Sequence, residues 1–384
     1  MGLTNFLIKP VSGACNLRCR YCFYEDEVNN RAVKNAGPMQ RETVEGLLHE
    51  AYGLTKPGDT VQFIFQGGEP TVAGLPFFQD FVGLARSLCP QQVGVGFSIQ
   101  TNGILLDKEW AQFLKRENFL VGLSIDGYKE LHNLHRIDTG KDGTWNSVRK
   151  ALQLLQKENV PVNALCVVTG NCARKPEEVY NELKKLGLQY MQFIPCLDPI
   201  GAERGSLSFS LTPQGYGAFL CKLFDLWYRD WSQGQYHSIR LFDDYVNMLL
   251  GCNTSTCSTC GQCGSYFVVE SDGSVYPCDF FALDEWKLGT LGQQSLAQMT
   301  SCELAAKFLR WGQDKPAECL TCQWRGLCNG GCKNDWVHDD EGNPHNYFCA
   351  AFQKFFDYAL PGLMQIARAE QRARLTYDQL HHHS

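Results

Sequence analysis

Along the chain, apolar positions fall into two alternating kinds of segment. Short β-branched or aromatic runs occur at residues 6–8, 61–65, 95–99, 120–125, 162–168 and 190–194. Between them lie amphipathic stretches of helical length at 42–52, 76–88, 108–116, 145–158 and 176–186. Near-continuous apolar strands alternating with helices predict an α/β fold, a parallel sheet covered by helices. Six such strands are two short of a closed eight-stranded barrel, so the expectation is an open, partial (β/α)6 barrel. In such folds the chemistry gathers at the carboxyl ends of the strands. Cys15 follows the first strand, Gly67-Gly68-Glu69 the second and Gln100-Thr101-Asn102 the third.

The pattern changes after residue 235. A Gly- and Ser-rich stretch over 251–265 opens a cysteine-dense region, followed by a hairpin signal at 267–270 and 275–277 around an Asp272-Gly273 turn. Beyond it the chain looks loop-rich and thin in apolar content, a segment that metal cross-links would have to hold together. The expected division is residues 1–235 for the barrel, 236–250 for a linker and 251–384 for a small cysteine-rich domain ending in a helix. The terminal His381-His382-His383 run resembles an added tail and contributes no candidate site residue.

Composition narrows the classes. The 384 residues carry 35 Lys plus Arg against 41 Asp plus Glu, a net charge of −6, which argues against a general nucleic-acid binder. A hydrophobic share of 44% with 20% charged residues describes a soluble globular chain. No apolar run approaches the ~18 residues of a membrane span, and the first ten residues are too short for a secretory signal. The expectation is a cytoplasmic protein with no membrane partner. Cysteine is the outlier at 19 copies, eight before residue 252 and eleven from there to 349. An odd number of thiols in a reducing compartment fits metal or iron–sulfur ligation better than disulfides.

Cys15-x3-Cys19-x2-Cys22 places three thiolates where they can grip one face of a [4Fe–4S] cluster, leaving one iron open to an external molecule. A structural zinc lacking its fourth ligand is the plain alternative. Placed just after a first strand, with Tyr21 before the last cysteine, the motif resembles the radical S-adenosylmethionine (SAM) enzymes. The resemblance implies that the open iron chelates SAM and that electron transfer yields a 5′-deoxyadenosyl radical for hydrogen abstraction. Gly67-Gly68-Glu69-Pro70 looks like that superfamily's GGEP element, where backbone without Cβ can approach the methionyl group. It further implies that Ser124 and Arg136, the latter in a His/Arg-rich loop, hold the SAM carboxylate and ribose. Tyr21, Gly68 and Leu197 would surround the adenine and amino group. For Arg136 the bland alternative is a solvated surface charge.

The later cysteines form Cys319-x2-Cys322-x5-Cys328-x3-Cys332 with Cys349 beyond, and Cys257-x5-Cys263 with Cys278 after the hairpin. Eight thiolates suffice for two fully ligated [4Fe–4S] clusters, or for two four-thiolate zinc sites. The pattern resembles the SPASM extension of peptide-modifying radical SAM enzymes. That resemblance implies one auxiliary cluster on Cys257, Cys263, Cys278 and Cys332, with Cys252 and Cys260 as competitors, and a second on Cys319, Cys322, Cys328 and Cys349. With the N-terminal cluster this makes three [4Fe–4S] clusters. Cys89, Cys166, Cys172, Cys196, Cys221 and Cys302 read as small apolar residues.

Further matches are Leu7-Ile8-Lys9-Pro10, Tyr21-Cys22-Phe23-Tyr24, Phe65 through Thr71, Gln100-Thr101-Asn102-Gly103, Gly122 through Gly127 and Val268 through Phe280. Together they resemble the anaerobic sulfatase-maturating enzymes, from about residue 5 to residue 350. The resemblance implies oxidation of a Cys or Ser in a sulfatase CxPxR-type segment to Cα-formylglycine. Asp279 would remove the thiol or hydroxyl proton, and an auxiliary cluster would accept the second electron. The implied partners are an unfolded or nascent sulfatase polypeptide and a flavodoxin- or ferredoxin-like electron donor, with the enzyme a monomer. Asp279 as a turn carboxylate capping backbone amides is its plain alternative, and Asp198 and Asp243 are the next candidates for the base. Two rival functions share these features: a SPASM enzyme making thioether or carbon–carbon crosslinks in a ribosomal peptide, and a non-catalytic zinc-binding scaffold.

Overall fold

The computed structural model describes residues 2–381 except 255 and 265, so His382 and His383 of the terminal run lie outside the described residues. In chain order the main strands are β1 (Leu3–Ile8), β2 (Thr60–Phe65), β3 (Gly94–Thr101), β4 (Leu120–Ser124), β5 (Val162–Val168), β6 (Tyr190–Pro195), β7 (Ser238–Ile239), β8 (Tyr266–Val269), β9 (Ser274–Tyr276) and β10 (Gly289–Thr290). They are shared between two compact units. Unit 1 comprises Met1–Leu165, Leu197–Glu203 and Gly264–Arg310, and unit 2 comprises Cys166–Cys196, Arg204–Cys263 and Trp311–Ser384.

In unit 1 the strand order is β10-β9-β8-β1-β2-β3-β4-β5. Strands β1 through β4 run parallel, in a register that sets Phe6 opposite Phe63 and Phe63 opposite Phe97. Those rings stack across three strands at 5.8 and 6.1 Å. Helices Arg41–Gly53, Leu75–Leu88 and Lys108–Arg116 close over them with Leu47, Leu48, Phe78, Phe81 and Phe113, all buried in one core. Edge-on contacts such as Phe81 to Phe65 at 4.9 Å add about 0.5–1.5 kcal/mol each beyond area burial. The strands end together, so the residues that follow them share one rim of the sheet.

The expected hairpin forms as β8 and β9, turning at Gly273 with φ +83°. The hairpin falls within unit 1. β8 pairs parallel with β1, from Asn5↔Tyr266 to Ile8↔Val269. β1 would otherwise expose a row of unpaired N–H and C=O groups, and the apolar 266–269 run satisfies them. The boundary at 236–250 is likewise not where the compact units divide. That stretch is β7 followed by the helix Arg240–Leu249, which buries Phe242, Tyr245 and Val246. The His/Arg-rich loop before Arg136 is the helix Lys129–His135.

Unit 2 carries β6 and β7, paired parallel, and two long helices, Pro213–Ser232 and Cys349–His381. Phe224 and Phe355 of these helices meet Phe242 of the helix Arg240–Leu249, with the Phe242 and Phe355 rings 5.4 Å apart and 7° from parallel. The thin apolar content expected after the hairpin was therefore an underestimate. Phe355, Phe356, Ala359 and Leu363 recur at helical spacing and are fully buried. Among the described residues no helix is long and apolar enough to cross a membrane.

Candidate active site

Between β1 and the helix Phe23–Asn29 the chain makes a compact loop holding Cys15, Cys19 and Cys22. Cys22 caps the helix, its sulfur accepting the Glu25 amide at 3.4 Å, and the Leu17 amide donates to the Cys15 sulfur at 3.3 Å. Backbone bonds clamp the loop from two sides. Gly68 and Glu69 donate to Ser12 and Ala14 at 3.0 and 2.8 Å, while Arg18 and Arg20 donate to Ile137 and His135 at 2.8 and 3.0 Å. Burial pushes the Cys15 thiol up to about 11 and Cys19 to about 12, with the neighbouring sulfurs raising both and Arg136 opposing the rise at Cys19. Three crowded, partly desolvated thiols suit a cationic iron cluster that would draw off their protons. Among the described residues no group of three or more His, Cys, Asp or Glu closes round a single metal ion.

Gly68 meets a packing requirement that the sequence did not show. A Cβ there would lie 2.1 Å from the Ala14 carbonyl oxygen, so the missing side chain makes room for the cysteine loop itself. Glu69, which the sequence left without a role, is buried and ties the ends of β2 and β3 together. Its oxygens accept from the Thr71 and Thr101 hydroxyls at 2.6 Å each and from the Asn102 amide at 2.7 Å. Asn102 in turn donates to Asn16 of the cysteine loop at 2.8 Å.

On the other side of the loop, Arg136 is a buried, paired group and not a solvated charge. Its Nε donates to Asp126 Oδ2 at 2.9 Å and its guanidinium carbon lies 5.4 Å from the Tyr21 ring centre. The Tyr21 hydroxyl donates to the same carboxylate oxygen. Asp126 thus gathers Tyr21 and Arg136 beside Ser124, the last residue of β4. Leu197 begins the short return of the chain to unit 1 and is half-buried.

Asp279 opens a short 3-10 turn after β9 and is buried. The plain alternative, a carboxylate capping turn amides, does not describe either oxygen. One is paired with the Lys9 ammonium and the other accepts from Gln66 Nε2 at 2.8 Å. Lys9 itself is fully enclosed, its ammonium 3.9 Å from the Tyr24 ring centre. Tyr24 and Arg31 both donate to Glu270 at 2.6 Å, so Asp279 belongs to a larger buried polar cluster. Of the other candidate bases, Asp243 accepts from Tyr236 and Ser238 within unit 2, and Asp198 is half-buried in unit 1.

In unit 2, Cys319, Cys322, Cys328 and Cys349 line one pocket, walled by Trp324, Phe352 and Phe356. Burial, with the neighbouring sulfurs, pushes Cys328 to about 12 and Cys349 to about 11. The structure brings these four together. Cys257 and Cys263 also influence each other in unit 2, and Gly312 passes so close to Cys263 that a Cβ would lie 2.6 Å from its sulfur. Cys332 lies in unit 2 and Cys278 in unit 1. Of the competitors, Cys260 stays beside Cys257, whereas Cys252 is exposed and meets Arg374 at 3.5 Å.

Comparison with known proteins bears on the family. Residues 10–191 match the radical SAM superfamily model and residues 253–323 an iron–sulfur cluster-binding domain, SPASM. The class is therefore a radical SAM enzyme with a SPASM extension. A cysteine-type anaerobic sulfatase-maturating enzyme of Clostridium novyi is 40% identical over 95% of this chain and 97% of its own length. A serine-type enzyme of Bacteroides thetaiotaomicron is 32% identical over 92% of this chain and 89% of its own. The solved structure of native anSMEcpe with bound AdoMet and Kp18Cys peptide superposes with a TM-score of 0.90 at 40% identity, covering 96% of this chain and 99% of that one. This chain belongs to the anaerobic sulfatase-maturating enzymes.

The site residues missed in the sequence are Lys9, Gln66, Glu69 and Asp126. Each sat inside a motif already quoted, but a buried partner far along the chain is what reveals its role.

Proposed function

We propose that this enzyme oxidises a cysteine in a CxPxR-type segment of an unfolded or nascent sulfatase to Cα-formylglycine. It does so in the cytoplasm, as a monomer supplied with electrons by a flavodoxin- or ferredoxin-like donor. The observation that carries the mechanism is the buried Asp279 carboxylate, held by Lys9 and Gln66 one residue beyond Cys278. Cysteine is favoured over serine because the cysteine-type relatives are the more similar, at 40% identity against 32%. In this reading Cys15, Cys19 and Cys22 hold the SAM-binding [4Fe–4S] cluster, while Tyr21, Gly68, Ser124, Arg136 and Leu197 hold SAM. Cys257, Cys263, Cys278 and Cys332 hold one auxiliary cluster, and Cys319, Cys322, Cys328 and Cys349 the other.

When bound, SAM and the clusters would supply hydrogen abstraction at the substrate Cβ and removal of one further electron; with loss of the thiol proton this leaves a thioaldehyde, which water hydrolyses to the aldehyde with release of hydrogen sulfide. The chain's own contribution is proton handling and orientation. Asp279 Oδ accepts the substrate thiol proton, and Lys9 holds the carboxylate in place through an ion pair buried from water. Gln66 fixes the second oxygen, so the base presents one orientation.

Anaerobic incubation of the reduced enzyme with SAM and a Cys-x-Pro-x-Arg peptide tests the reading. An aldehyde that reacts with a hydrazide probe supports it; a cyclic product without aldehyde would instead place the chain among crosslinking enzymes. Metal analysis should find about twelve irons per chain for three four-iron clusters. Zinc without iron would overturn the enzyme assignment. Asp279→Asn keeps shape but cannot accept the proton, so aldehyde should fall by roughly 10²–10⁴ while SAM cleavage persists.

A further inference from the structure

His132 takes no part in the chemistry described so far, yet it is completely buried in the last turn of the helix Lys129–His135. Its Nδ1 accepts the backbone N–H of Asp126 at 3.2 Å. Its Nε2 meets the Thr144 hydroxyl at 3.1 Å, and that hydroxyl donates to the Arg136 carbonyl at 3.0 Å. A hydroxyl has one proton, and here it is committed to Arg136, so Thr144 must accept from the ring. The proton of the neutral imidazole then sits on Nε2, the tautomer that an accepting Nδ1 also requires. One directed chain of hydrogen bonds therefore runs from the amide of Asp126, through His132 and Thr144, to the carbonyl of Arg136.

The two ends of that chain are the backbones of the two residues whose side chains form the Asp126–Arg136 ion pair. The pair is thus held at both side chain and main chain. Segment 135–137 also receives the Arg18 and Arg20 amides of the cysteine loop. From this placement we infer that His132 and Thr144 are positioning residues for SAM: they fix the Arg136 guanidinium relative to Ser124 and the cysteine loop, and so set the enzyme's affinity for the sulfonium cofactor. The inference rests on the reading of Arg136 as a SAM contact.

The test measures the dissociation constant for SAM on the iron-loaded protein by equilibrium dialysis, together with iron per chain, melting temperature, and KM and kcat for SAM. Thr144→Val removes the hydroxyl at nearly constant shape. SAM binding should weaken by about tenfold, the scale of one lost hydrogen bond. Iron content should hold, and the effect should appear in KM more than in kcat. Thr144→Ser restores the hydroxyl and should restore affinity. His132→Asn keeps an acceptor for Asp126 but cannot reach Thr144, so it should behave like Thr144→Val. If Thr144→Val and His132→Asn lower only the melting temperature and leave SAM affinity at the wild-type value, the positioning role is wrong. Arg136→Lys separates the two levels. Unchanged SAM affinity in that variant overturns the cofactor reading and the inference with it. Weakened affinity in Arg136→Lys beside normal affinity in Thr144→Val overturns the positioning chain alone.

Discussion

The ion pair between Lys9 and Asp279 has side-chain exposures of 0% and 7%, so neither charge is screened by water. Lys9→Met keeps the long aliphatic stem but strands the carboxylate beside Gln66 alone. Removing one member of a buried pair typically costs about 3–5 kcal/mol because the other charge stays uncompensated. For a folding unit of this size each kcal/mol moves the midpoint by about 2–4 °C, so the melting temperature should fall by roughly 6–20 °C. Asp279→Leu should cost a similar amount by stranding the ammonium. The double variant, with both charges gone, should lie near wild type, because a buried pair replaced by apolar groups is often neutral in stability. Thermal melts of the iron-loaded proteins read this cycle directly, and turnover should be lost in both Asp279→Leu variants. If the two single losses simply add in the double variant, the charges are independent. Lys9 would then play no part in holding the base.

Other perturbations have equally definite outcomes. Gly68→Ala must push a Cβ into the Ala14 carbonyl, now 2.1 Å from that position, so the cysteine loop should shift. Iron should fall by about one cluster of four and SAM cleavage should vanish, with auxiliary clusters intact by electron paramagnetic resonance. Cys328→Ala should remove about four irons and lower solubility, since cluster binding contributes to folding; a soluble, fully active variant would strike Cys328 from the ligand set. Burial lowers His132 to about 3, against the pull of Asp126 and helped by Arg136, so the native state refuses a proton that the unfolded chain accepts below its ordinary 6.5. That stability is complete above pH 6.5 and declines as pH falls toward 3. The loss reaches about 2 kcal/mol at pH 5, and the melting curve of His132→Asn should lack this acid-side slope.

What could be read in advance follows from how local each feature is. The cysteine triad, the glycine pair and the strand–helix alternation are short-range patterns, and they led to the parallel sheet and the N-terminal site. Four thiols spread over 319–349 were legible because their spacing is itself the signal. Lys9 and Asp279 lie 270 positions apart, and nothing near either one announces the other. The same holds for Asp126, whose partners come from a cysteine loop and from a helix end. The hairpin was visible as a hairpin, but its parallel pairing with β1 depends on a strand edge left open at the other end of the sequence. The linker over 236–250 was misread because a two-residue strand is too short to show a period, and the apolar face of the following helix was too brief to stand out.

The pairing of β8 with β1 also sets a schedule for synthesis. Asn5 emerges from the ribosome well over two hundred residues before its partner Tyr266. At about 5–20 residues per second, the edge of β1 waits roughly 13–50 s for that strand. Through that interval the growing chain carries an open parallel edge, the kind of surface that recruits foreign strands. Asp279 is synthesised later still, and its partner Lys9 directly follows β1. The proton-accepting group and its counter-charge therefore meet only after nearly three-quarters of the polypeptide exists, and a prematurely terminated chain is an aggregation hazard and never a partial enzyme.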